Sequence, residues 1–169
     1  MNKAQDVIQA LEMRKHPEGG HFSEFYRSAG TVRKEALPDN FTCDHVYSTS
    51  IYFLLERGEF SAFHTIRQDE IWHFYLGAPV TIHIIQPDGS YEKKLLGNTF
   101  SPGMSFQQVV PAGAAFGADI VSSDEYDFAL VGCTVAPGFE FDDFTLHKRE
   151  ELLGKYPAHR EIIEKLTQN

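Results

Sequence analysis

The stretch GEFSAFHTIRQDEIWHFYLG, residues 58–77, holds two histidines, a glutamate, a tryptophan and two framing glycines. SAFHTI and EIWHFYLG each read as a strand, because β-branched and aromatic residues dominate them. Side chains on a strand alternate between its two faces. His64 and Ile66 therefore point one way. Glu70, Trp72 and Phe74 share a face, with Ile71 and His73 opposite. An imidazole, a carboxylate and an aromatic wall facing inward are a usual composition for a ligand pocket.

The same texture extends outward from this stretch. STSIYFLLE (48–56), PVTIHIIQ (79–86), FQQVVPAG (106–113) and YDFALVGCTVA (126–136) are further short runs between Gly, Pro and Asp punctuation. PDGS (87–90) is a hairpin turn signal. Many strands without intervening helices predict an all-β sandwich or barrel over about 46–136. His83 alternates with Ile82 and Ile84 and is expected at the surface or an interface. One of Gln107 and Gln108 should face inward, and Gln108 is the candidate ligand contact.

At the N-terminus, Val7, Ile8 and Leu11 form the stripe of a short helix within 3–15. His16-Pro17 ends it. After the Gly19-Gly20 turn, HFSEFYRS (21–28) alternates as a strand. Phe22, Glu24 and Tyr26 share one face, and the family resemblance given below makes them candidate ligand contacts. Arg27 falls on the other face, with a surface or interface role. Residues 29–46 read as a loop or flap. In PGFEFDDF (137–144) the aromatics should dock and Asp142 and Asp143 should be solvated. Ile162, Ile163 and Leu166 give a second helical stripe in the tail, 148–167. One domain spanning residues 1–169 is expected.

Composition narrows the function classes. The net charge of −9 repels phosphate backbones, so no nucleic-acid partner is expected. No apolar run reaches the length of a membrane span, and no basic amphipathic stretch suits an anionic bilayer. Cys43 and Cys133 form no disulfide framework, which fits a reducing cytoplasm. Phosphate-loop, dinucleotide, nucleophile-elbow and zincin motifs do not occur. A small-molecule ligand is the expected partner.

Written as a motif, the opening stretch is Gly58-x5-His64-x-Ile66-x3-Glu70-x6-Gly77. This resembles the first motif of the cupin superfamily, G-x5-H-x-H-x3–4-E-x6-G, with Ile66 in place of the second histidine. Pro111-x-Gly113 echoes the second motif, with Phe116 at its histidine position and Ile120 at its asparagine position. HPEGGHFSEFYRS (16–28), STSIYFLL (48–55), DEIWHFYLG (69–77) and GCTVAPGFEFDDF (132–144) further resemble a small branch of cupins. The resemblance implies a double-stranded β-helix, or jelly roll, with short helices at both ends, and a homodimer. EGGHFSEFY (18–26) is similar to the N-terminal segment of dTDP-4-dehydrorhamnose 3,5-epimerases, which are metal-free cupins. Phe22 and Glu24 match site positions there, while Gly19 stands where those enzymes carry an arginine. That similarity implies a catalytic histidine, for which His64 is the candidate. It also implies an acidic tyrosine, for which Tyr126 and Tyr52 are both open.

Metal-binding cupins use three histidines and a glutamate. This chain keeps His64 and Glu70, and two ligands hold a divalent ion weakly. His73 points away from Glu70 unless a bulge intervenes. No cofactor is expected; a divalent metal, if bound, would use His64, Glu70 and His73. Three functions follow. The first is a metal-independent isomerase or epimerase acting on a sugar or sugar nucleotide, with His64 and Glu70 catalytic and Tyr52, Trp72, Phe74 and Phe116 lining the pocket. The second is a metal-dependent, dioxygenase-like cupin. The third is a non-catalytic metabolite binder.

Overall fold

Short strands that are apolar on one face must bury it, and two sheets packed face to face bury both. The computed structural model, which describes residues 3–99, 101–121 and 125–168, has that architecture. After helix α1 (Lys3–Ala10) come β1 (Arg14–Lys15), β2 (His21–Arg27), β3 (Thr31–Val32), β4 (His45–Val46) and β5 (Thr49–Glu56). Then follow β6 (Phe60–Thr65), β7 (Glu70–Gly77), β8 (Val80–Ile85), β9 (Tyr91–Leu96) and β10 (Met104–Ser105). The chain continues through β11 (Gln107–Val110), β12 (Ala115–Ile120), β13 (Phe128–Val135), β14 (Thr145–Leu146), α2 (Arg149–Lys155) and α3 (Arg160–Lys165).

Among the described residues one sheet has the order β1-β2-β5-β13-β7-β11 and the other β10-β9-β8-β12-β6-β14. The chain passes from one sheet to the other between β5 and β6, β6 and β7, and β7 and β8. This is the jelly roll with short terminal helices that the sequence led us to expect. The β8–β9 hairpin turns at Pro87–Ser90, where Asp88 Oδ1 accepts the Ser90 N–H at 2.9 Å.

Phe53, Trp72, Phe116, Ile82, Ile84 and Leu96 are fully buried between the sheets. The outer faces are partly roofed. Val7, Ile8 and Leu11 of the α1 region cover Leu54, Phe128 and Leu130 of the first sheet. Leu152, Ile163 and Leu166 cover Phe63 and Ile85 of the second. The first helix stops at Ala10, short of the expected 15, because the chain turns at Glu12 (φ 50°) into β1. The 29–46 segment contains the β3–β4 pairing and a 3-10 turn at Lys34–Ala36. No helix of the described residues is long and apolar enough to cross a membrane.

His83 corrects the sequence reading. It does leave the inter-sheet core, but α3 covers it, and it is buried rather than at the surface. Its Nδ1 lies 2.7 Å from Tyr91 Oη and its Nε2 3.1 Å from Asp119 Oδ1. Lys165 of α3 pairs with the other oxygen of Asp119. Removing one partner of a buried polar cluster leaves the others unsatisfied. His83→Ala is therefore expected to lower unfolding free energy by about 2–4 kcal/mol, measured by urea denaturation.

Candidate active site

The space between the sheets is filled at one end and open at the other. Trp72, Phe74, Phe116 and Ile84 pack the filled end. The open end is a cavity of about 300 Å³. Its walls come from inward positions of β2 (Phe22), β5 (Ile51, Phe53) and β13 (Cys133), facing His64 of β6 and Ile66 just beyond it. Glu70 enters from the start of β7. Phe139, Phe141 and Phe144 form an aromatic rim, with the His16 ring packed against Phe141 and Phe144 at 6.2 and 5.7 Å between centroids, and Glu18 joins the lining.

Glu18 sits here because the chain passes very close to its neighbours. A Cβ at Gly19 (φ +109°) would lie 2.2 Å from the Phe60 carbonyl oxygen, and one at Gly20 (φ +67°) 2.6 Å from that of Leu54. Only glycine tolerates both demands. The Ala62 N–H donates to the Glu18 carbonyl at 2.7 Å, and Ser61 Oγ donates to Glu18 Oε1 at 2.9 Å. Glu18 Oε2 then lies 3.2 Å from His64 Nε2 and 3.3 Å from His16 Nδ1. His64 Nδ1 is 2.8 Å from the Ala62 carbonyl, which only accepts, so Nδ1 carries a proton. That assignment leaves Nε2 as the basic nitrogen of the neutral ring. Burial lowers the pKa of His64 and of His16, and raises that of Glu18.

Glu70 is the second carboxyl. Its Oε2 and the Trp72 Nε1 are buried and fall outside strict hydrogen-bond geometry, although the Trp72 indole N–H and the Cys133 thiol lie close enough to favour the carboxylate. Burial pushes the Glu70 carboxyl up to about 7; His64 opposes this and Glu18 adds to it. Cys133 lies beside Glu70, and burial raises its thiol well above the ordinary range, so it is a neutral thiol and not a nucleophilic thiolate.

The cavity brings together some of the sequence candidates and not others. His64, Glu70, Phe22 and Glu24 line it. Trp72, Phe74 and Phe116 point inward as expected but form the packed core behind it; the Phe116 ring is 4.1 Å from the His64 ring. Gln108 is half-buried, and its amide is spent on the Leu95 carbonyl at 2.9 Å. Tyr52 lies on the outer face of β5, packed on Phe25 and Tyr75, and Tyr126 joins the α1 cluster, so neither reaches the cavity.

Tyr26 and Arg27 exchange the faces expected of them. The β2–β5 register runs Glu24↔Ile51, then Tyr26↔Ser50 and Arg27↔Thr49, so a bulge at Phe25 absorbs one residue. A bulge reverses the alternation beyond it. Tyr26 therefore faces outward, and Arg27 lines the cavity mouth. There its Nη1 is 2.7 Å from Glu140 Oε1 and its Nε 3.1 Å from Glu24 Oε1. The aromatic rim is anchored by Asp143, which is buried and not solvated as expected. Its Oδ2 is 2.7 Å from both His45 Nε2 and Gln68 Nε2.

The residues present do not fit the metal of metal-binding cupins. Apolar Ile66 and Phe116 stand at two ligand positions. His73 is on the outer face, 3.2 Å from Thr134 Oγ1. Outside the cavity, His21, Glu56 and Glu59 bring ligand atoms within 4.8 Å of one another.

Glu18, His16, Arg27 and the 139–144 rim were not singled out from sequence as site residues. The one signal was HPEGG, whose paired glycines mark a close backbone approach.

Comparison with known proteins agrees with this architecture. A protein of Shewanella oneidensis, SO0799, is 39% identical, superposes with a TM-score of 0.86 and is matched over 99% of both chains. A hypothetical protein from Leishmania major is 31% identical, with a TM-score of 0.89 over 99% of this chain and 100% of that one. The uncharacterized protein YML079W of Saccharomyces cerevisiae is 31% identical over 157 residues, which are 88% of this chain and 77% of that protein. Oxalate decarboxylase of Bacillus subtilis shares the fold alone: its structure at pH 4.6 is 14% identical, with a TM-score of 0.54 over 90% of this chain and 36% of that one. The family described as "Cupin superfamily (DUF985)", Cupin_5, matches residues 5–147, and the chain belongs to it.

Proposed function

We propose that the cavity is the active site of a metal-independent isomerase or epimerase acting on a small, sugar-like carbonyl compound. The observation that carries this reading is Glu70: a buried carboxyl, pushed up to about 7 by burial, lining a cavity that also holds the basic nitrogen of His64. A group that titrates near neutrality can hold or release a proton at working pH. His64 Nε2 removes the proton next to the carbonyl. Glu70, in its protonated form, donates to the oxygen as negative charge develops there. Glu18, between the two imidazoles, orients the His64 ring. Phe22, Phe139, Phe141 and Phe144 offer ring faces for the C–H side of a sugar, with Glu24 and Arg27 at the mouth for its hydroxyls. The similarity of residues 18–26 to the dTDP-4-dehydrorhamnose 3,5-epimerases supports the same chemistry.

Incubation with a panel of ketoses, aldoses and sugar nucleotides in deuterium oxide is expected to give solvent deuterium at the carbon next to the carbonyl of at least one, read by NMR. His64→Ala and Glu70→Gln should each slow this by about a hundredfold or more. Tight binding without exchange would instead make the protein a metabolite carrier.

Glu70 also carries a stability prediction. Its folded pKa lies above its ordinary 4.5, so the folded state is favoured by protonation. That stability is fully present below pH 4.5 and is lost as pH rises through 7. The loss amounts to about 3 kcal/mol above pH 7. Glu70→Gln should melt higher than wild type at pH 8, and the gap should close towards pH 4.5 in calorimetry.

The dimer expected from the resemblance is supported by the outer face of the first sheet, where Phe25 is 70% exposed beside the outward Tyr26, Tyr75 and Ile71. Light scattering should give twice the chain mass, and Phe25→Asp should shift it towards one.

A further inference from the structure

We propose that His21, Glu56 and Glu59 form a divalent transition-metal site on the outside of the first sheet, separate from the active-site cavity. Among the described residues this is the one group of three His, Cys, Asp or Glu side chains whose ligand atoms all lie within 4.8 Å of one another. None of the three lines the cavity.

The fold explains their convergence. His21 pairs with Leu54 across β2 and β5, so the two share a face, and Glu56 follows two residues on along that same face. The chain then turns at Gly58 (φ +86°), with the Glu59 N–H donating to the Glu56 carbonyl at 2.9 Å. Both carboxylates are thereby carried to one side of the turn, beside the imidazole.

His21 points to an ion rather than to a chance gathering of acids. It is only 9% exposed, and its Nδ1 is buried without a hydrogen-bond partner among the described residues. An orphaned polar atom of this kind in a native fold calls for an unseen partner, and bound ions are among the usual ones. Two carboxylate oxygens and one imidazole nitrogen suit zinc, manganese or iron(II), with open positions for water.

The carboxylates already attract a cation. Lys15 Nζ sits 2.6 Å from Glu59 Oε1, with its side chain 64% exposed, and Gln5 Nε2 is 3.3 Å from Glu56 Oε1. An exposed lysine pair is weak and readily displaced. A divalent ion would take the ammonium's place and tie β2 to the β5–β6 turn.

The test is titration of the full chain with zinc and with manganese, by calorimetry and by melting temperature. One ion per chain with micromolar or tighter affinity is expected, with a raised melting temperature. Loss of a partner that merely orients a ligand costs about 10–100-fold in metal affinity, so His21→Gln and Glu59→Gln should each weaken binding at least about tenfold. Glu59 is half-buried, so its variant keeps the test open if His21→Gln fails to fold. Lys15→Met should tighten binding, because the competing ammonium is gone. His64→Ala should leave binding unchanged. The proposal is overturned if wild type shows no saturable binding in the micromolar range. It is equally overturned if Glu59→Gln binds as wild type does, or if His64→Ala is the variant that abolishes binding.

Discussion

The pleat of β7 ties a hydrophobic anchor to a charged one. Glu70, Trp72 and Phe74 point to the same side, so burying the indole between the sheets carries the carboxyl into the same interior. Full burial of large aromatic side chains contributes several kcal/mol, more than the cost of keeping one carboxyl neutral or poorly solvated. Trp72, Phe53 and Phe116 therefore hold Glu70 where water would otherwise draw it out. The strained protonation of the site is a consequence of good packing beside it.

The remaining parts of the site depend on that interior being open at one end only. The Gly19-Gly20 passage lets the N-terminal segment close against β6 and insert Glu18 next to His64. The aromatic rim, 139–144, is fastened by Asp143 to His45 and Gln68, and by Thr49 Oγ1, which accepts the Phe139 N–H at 2.9 Å. His45 is held at both ring nitrogens, 2.7 Å from Asp143 Oδ2 and 2.8 Å from the Cys43 carbonyl, so the rim is tied to the 43–45 segment. Two buried carboxyls and two imidazoles thus share a water-poor space, where burial favours the neutral form of each and the opposite charge of a neighbour favours ionising them as a pair. Proton exchange between them is then cheap compared with ionising any one alone.

The legible part of the protein was whatever depends on local periodicity. The alternation of residues 61–77 placed His64, Ile66 and Glu70 inward and His73 outward, and the β7 ladder runs without a shift from Val135↔Glu70 to Val131↔Phe74. The β8–β9 turn and the terminal helical stripes were legible for the same reason. Tyr26 and Arg27 were misplaced because one extra residue at Phe25 inverts the pattern, and no residue type marks a bulge. Alternation with Ile82 and Ile84 rightly took His83 out of the inter-sheet core, but neither its burial nor that of Asp143 could be read, because their partners, Asp119 and His45, lie 36 and 98 residues away.

The jelly roll and the loss of two metal-ligand positions to Ile66 and Phe116 came from the cupin resemblance; the residues by themselves determined an all-β sandwich or barrel and the inward face of its strands. The latter two follow from side-chain chemistry and the two-residue period of a strand. Only the tertiary structure decided that Glu18 and His16 complete the His64 cluster, that Arg27 guards the mouth and that Tyr52 and Tyr126 stand elsewhere. Those outcomes rest on contacts between segments far apart in the chain, where close packing and hydrogen-bond geometry act and composition has no influence.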